Sequence, residues 1–71
     1  MLETSLHQKL SAREFQVLCL FGAGKTISGI ARELSLSVPT VSTYRARILE
    51  KMGMKTTAEL VRYAVQQRLV S

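Results

Sequence analysis

Three residues, Ser35-Leu36-Ser37, separate two stretches whose apolar side chains repeat at helical spacing. So short a connection leaves room for little but a tight turn between two helices. Downstream, Val41, Tyr44, Ile48 and Met52 recur at intervals of three and four, so residues 38–52 are predicted to form one amphipathic helix. Both its ends are marked. Ser37 is suited to the N-cap, Pro39 is tolerated in a first turn whose amides have no intrahelical partner, and Gly53 can take the left-handed conformation that stops a helix. Upstream, Thr26 can cap a shorter helix over Ile27 to Leu34, with Ile30, Ala31 and Leu34 facing inward. Gly29 lowers the propensity of that helix by ~1 kcal/mol relative to Ala, so only close packing or a close backbone approach recommends it. Small Ala31 where the helices cross, with Leu36 plugging the space between them, completes the pattern of a helix-turn-helix. Many such turns carry Gly where this one has Ser35.

Two further helices are announced by capping boxes. In Ser11-Ala12-Arg13-Glu14 the hydroxyl accepts the Glu14 amide and the carboxylate reaches back to the Ser11 amide, with Leu10 and Phe15 as hydrophobic staple. The first helix is placed over Ala12 to Phe21, ended by Gly22 and Gly24. Phe15, Val17, Leu18, Leu20 and Phe21 make it apolar over most of its circumference, so it belongs in the core. Thr56-Thr57-Ala58-Glu59 starts a last helix over Thr57 to Arg68, with Leu60, Ala64 and Tyr63 on its inner face. A second stripe, Ala58, Val61 and Val65, lies a quarter to a third of a turn away and is a candidate dimer contact. The expectation is an all-α, compact four-helix domain over residues 10–71, with residues 1–9 a linker in which Leu2 and Leu6 pack loosely at most.

Residues 38–52 present a second face, opposite the apolar one. Ser42, Thr43 and Ala46 leave a low surface there, flanked by Arg45, Arg47 and Lys51, which suits a helix lying in a DNA groove and equally an ordinary solvent-facing strip. Charge weighs on that choice. A chain of 71 residues with a formal charge of +5 favours a polyanionic partner, nucleic acid or an anionic surface. Small side chains on such a face read bases through a thymine methyl or a single hydroxyl bond.

Several functions are excluded. All five acidic residues are glutamates, so the chain has no aspartate to accept a phosphoryl group. His7, in the linker, and Cys19, expected as a buried inert thiol, have no partners at catalytic or metal-ligand spacing; no cofactor, metal site or enzymatic activity is expected. Gly22-Ala23-Gly24-Lys25-Thr26 lacks the upstream glycine and the strand of a phosphate-binding loop. Arg and Lys interrupt every apolar stretch, which leaves no membrane span, and a single cysteine fits the cytoplasm.

The pattern Leu10-Ser11-x-Arg13-Glu14, Val17-Leu18, Gly24, Ile30-Ala31, Leu34, Leu36-Ser37, Thr40-Val41, Ile48 and Lys51-Met52 resembles the LuxR-type DNA-binding domain over about Leu10 to Val70. Within that group, Ser42-Thr43-Tyr44-Arg45-Ala46-Arg47 is similar to the C-terminal output domains of NarL/FixJ-type bacterial response regulators. The resemblance implies sequence-specific binding of double-stranded DNA by a bacterial, cytoplasmic transcription regulator, with the 38–52 helix in the major groove and the last helix at a homodimer interface. By motif, base contacts fall on Ser42, Thr43 and Ala46, and phosphate contacts on Lys25, Thr26, Thr40, Tyr44, Arg45, Arg47 and Lys51. Pro39 stands where a basic residue is common in the group, and Ile27 and Gly29 replace usually polar residues. The group contains both two-component regulators and self-sufficient small ones, so a covalently linked receiver or sensor domain outside this chain is one expectation. The alternative from another class is a small protein-interaction module that uses the Ala58, Val61 and Val65 stripe, its charge serving only solubility.

Overall fold

The structure is a computed structural model that describes residues 6–69. Among the described residues there are four α-helices, α1 (Ala12–Gly22), α2 (Ile27–Leu34), α3 (Val38–Met52) and α4 (Thr57–Gln66), preceded by a short 3-10 turn over Leu6–Lys9. Each α-helix begins at the hydroxyl residue expected of it. Ser11, Thr26, Ser37 and Thr56 all lie in extended backbone and accept the amide three residues on, and Ser11 and Thr56 form complete capping boxes with Glu14 and Glu59. The two amides held by Glu59, those of Lys55 and Thr56, keep its carboxyl below the ordinary glutamate range.

The four helices also end alike. After each, a residue in the left-handed conformation lets the next amide reach back five residues: Lys25 to Leu20, Leu36 to Ala31, Met54 to Leu49, Leu69 to Ala64. The left-handed residues are Gly24 (φ 89°), Ser35 (φ 58°), Gly53 (φ 67°) and Arg68 (φ 56°). Two are glycines and two are not. Arg68 therefore closes α4 where no glycine marks the stop, and α4 ends at Gln66 rather than running through Arg68 as its sequence suggests. Ser35 bends the chain between α2 and α3 at the cost of a crowded Cβ. Ser35→Gly is expected to stabilise the domain by about 0.5–1 kcal/mol, the steric relief exceeding the extra freedom of the unfolded chain. The midpoint of urea unfolding reads it; a fall in midpoint would mean that the serine side chain contributes more than its strain costs.

α1 packs against all three other helices, most extensively α4. The core draws Val17, Leu18 and Phe21 from α1, Ile30 and Ala31 from α2, Val41, Ile48 and Met52 from α3, and Leu60 and Ala64 from α4. Leu34, Leu36, Tyr44, Leu49 and Tyr63 pack against it half-buried. At Gly29 a Cβ would come within 3.3 Å of the Thr26 hydroxyl oxygen that caps α2, so the cap occupies the space a side chain needs.

Residues 6–9, read from sequence as part of a linker, are joined to the domain; Leu2 lies outside the described residues. The His7 ring stands between Phe15 of α1 and Tyr63 of α4, with centroids 5.3 and 5.9 Å away. The His7 amide donates to the Tyr63 hydroxyl oxygen at 3.3 Å, and His7 Nδ1 lies 2.8 Å from the same oxygen. The phenol accepts the first bond and has one proton to give the ring nitrogen, an arrangement that a polar residue in an aperiodic segment does not advertise.

Candidate nucleic-acid interface

α3 is divided lengthwise by what its side chains touch. Val41, Ile48 and Met52 are buried, and Tyr44 and Leu49 pack half-buried beside them. The opposite side exposes Pro39, Thr43, Ala46, Arg47 and Glu50. Ser42 stands on the flank, half-buried, and Val38 is exposed at the first turn. Thr43 Oγ1 donates to the Pro39 carbonyl at 3.1 Å, and the Ser37 and Thr40 hydroxyls are 2.8 Å apart.

Two cations expected to flank this surface are engaged within the fold. Lys51 Nζ lies 2.7 Å from Glu14 Oε1, and the Glu14 side chain is only 4% exposed while that of Lys51 is 40% exposed. The same carboxylate oxygen accepts the Ser11 amide at 2.9 Å. Hydrogen bonding from Lys51, against the opposing pull of burial and with help from Ser11, holds the Glu14 carboxyl below the ordinary range. Arg45 lies on the packed side of α3 and donates from Nη1 to Thr57 Oγ1 at 3.1 Å, which ties α3 to the first turn of α4. α3 is thus fixed to α1 near its end and to α4 near its middle.

The other cations remain outward. Arg47 is exposed with no ion pair among the described residues. Lys25 pairs with Glu33 at 3.5 Å, both side chains about half exposed, and a water-screened pair of this kind exchanges readily for another anion. Thr26 is exposed at the α2 N-terminus, where its oxygen accepts the Gly29 amide and its proton stays available. Thr40 and Tyr44 are half-buried. On α4, Ala58 and Val65 are exposed, Val65 at 55%, whereas Val61 is half-buried against the core. Cys19, expected to be buried, is half-exposed; burial of part of its surface still pushes the thiol up.

A family model described as bacterial regulatory proteins, luxR family, matches residues 8–64. The chain belongs to this family. It is 35% identical over 65 residues to the transcriptional regulatory protein LiaR of Bacillus subtilis (strain 168), covering 92% of this chain and 31% of that protein. It is 39% identical over 61 residues to the oxygen regulatory protein NreC of Staphylococcus aureus (strain JH9), covering 86% of this chain and 28% of that one. The chain therefore spans less than a third of the length of these curated relatives. As a luxR-family domain it is a DNA-binding unit of transcription regulation and not an enzyme. No helix among the described residues is long and apolar enough to cross a membrane.

Two features of this luxR-family domain escaped sequence reading in different ways. Glu14 was legible as a cap, and its second role had a signal: Glu14, Val17, Leu18 and Phe21 fall at i, i+3, i+4 and i+7, which puts the carboxylate on the buried stripe and requires a cation to meet it. Which cation meets it depends on how α3 crosses α1, and no local pattern records that. The bond from Arg45 to Thr57 is equally non-local.

Proposed function

We propose that this domain recognises specific duplex sequences by laying α3 in the major groove, and that it works as a pair joined through α4. The observation that carries the reading is the division of α3: one side buried, its edges fixed by Glu14 and Thr57, and a low outer face presented beside exposed Arg47. Ser42, Thr43 and Ala46 meet base edges in this reading. Lys25, Thr26, Thr40, the Tyr44 hydroxyl and Arg47 meet phosphates, while Arg45 and Lys51 first hold the helix and add positive potential. Exposed Val65 and Ala58 supply the contact between copies, with half-buried Val61 between them. Similarity to regulators about three times as long supports a role as the output module of a two-component response regulator, acting in the bacterial cytoplasm, whose receiver lies outside this chain.

A salt titration of binding tests this. Two protomers that neutralise about eight phosphates give log affinity falling with log salt at a slope of about −7. Val65→Glu, which places a charge in the contact between copies, is expected to lower affinity and bring the slope to about −4, the value for one protomer. Affinity indifferent to salt would overturn groove binding, and an unaltered slope for Val65→Glu would remove α4 from the mechanism.

A further inference from the structure

We propose that the outer face of α3 reads thymine through its C5 methyl group, and that Val38 is a specificity-determining residue for that readout. The inference rests on the reading that α3 enters the major groove. Its starting point is the chemistry left at the surface once internal bonds are counted. The Thr43 proton is spent on the Pro39 carbonyl at 3.1 Å, so this side chain offers the groove its methyl and oxygen lone pairs. Of the Ser37 and Thr40 hydroxyls, 2.8 Å apart, one donates to the other. Pro39 has no amide proton, and Ala46 adds another methyl. Val38 adds an apolar group at the first turn of α3, on the flank it shares with Ser42 four residues on: it is 44% exposed, and with Val65 it makes up the exposed large hydrophobics among the described residues.

Base edges respond unequally to such a face. Guanine is recognised by two donors on a long Arg or Lys, and adenine by the amide of Asn or Gln. Pro39, Thr43 and Ala46 offer neither; Arg47 on the same side is assigned to phosphate in this reading, and Arg45 is engaged by Thr57. Thymine alone carries a methyl group into the major groove, where apolar contact recognises it. The N-terminal residues of a recognition helix are the ones that approach base edges, so an exposed valine at the first position of α3 stands where such contact is made. The +5 charge brings the duplex to this surface without choosing a base, and the methyl surface then makes the choice.

The test begins with duplexes selected by this domain from a random library and measures affinity by fluorescence anisotropy. Each thymine of the selected half-site is replaced in turn by deoxyuridine, which removes the methyl and keeps base pairing. Loss of one buried methyl is expected to weaken binding about threefold to fivefold at each contacted thymine. In Val38→Ala the penalty is expected to disappear at one of those thymines and persist at the others. Val38 is outside the core, so the variant should unfold at the wild-type urea midpoint. Deoxyuridine without effect at every position, on a site bound with the steep salt dependence above, overturns methyl readout and leaves groove docking in place. Penalties identical in wild type and Val38→Ala overturn the assignment to Val38. Failure to enrich any sequence overturns this inference and specific recognition together.

Discussion

Lys51→Met is expected to destabilise the domain by about 2 kcal/mol, far more than removal of a surface charge would. Methionine keeps most of the aliphatic stem, so the loss reports the ammonium. Without it the Glu14 carboxylate, 4% exposed, retains the Ser11 amide as a partner but no counter-charge. The figure sits below the ~3–5 kcal/mol of a fully enclosed pair because the Lys51 side chain is 40% exposed and water screens it. The acid dependence has a defined sign. Lys51 depresses the folded-state pKa of Glu14, so the stability gained from this ionisation is present above the unfolded value of about 4.3 and is lost as pH falls through the lower folded value. In Lys51→Met the folded pKa rises and the acid limb moves to higher pH. Glu14→Gln combined with Lys51→Met should recover much of the loss, because no buried charge then lacks a partner. Urea unfolding between pH 3 and pH 7 measures all of this. An unshifted acid limb in Lys51→Met would show that the pair contributes nothing to the folded state.

Ile48→Ala is expected to cost more, about 3 kcal/mol, from lost burial and the cavity left behind. Ile48 is fully buried in the C-terminal half of α3. For a chain of 71 residues, whose total stability is roughly 4–10 kcal/mol, such a loss leaves a marginal fold with a melting temperature lower by about 12–24 °C. Ala46→Ser, two residues away on the exposed side, should stay within about 0.5 kcal/mol of wild type. Equal losses at positions 46 and 48 would contradict the assignment of faces on α3.

Contrasts of this kind were open to sequence reading because they depend on one helix at a time. The four starting hydroxyls, the spacing of Val41, Ile48 and Met52, and the pair Leu60 and Ala64 are local patterns, and the fold places them as their spacing requires. Glycine marked the ends of α1 and α3; the end of α4 was missed because Arg68 adopts the same conformation without the residue that usually reveals it. The outer face of α3 was legible as a surface, but the spent Thr43 proton and the engagement of Lys51 and Arg45 were not. Those depend on which side chains from distant parts of the chain come within about 3 Å of each other, a property of how helices cross.

Fixing α3 to both α1 and α4 has a consequence for who adapts when protein and duplex meet. A helix free to swivel adjusts its angle to each site, and ordering it on binding costs affinity. Here the Glu14 and Thr57 contacts hold the angle before any duplex arrives. In the proposed groove docking, the remaining adjustment falls on the nucleic acid, whose resistance to bending and groove distortion varies with sequence. A stiff gauge measures the compliance of the object pressed against it. Under the proposed docking, with α3 held in this way, base steps that no side chain reaches would enter the affinity through the energy needed to deform them.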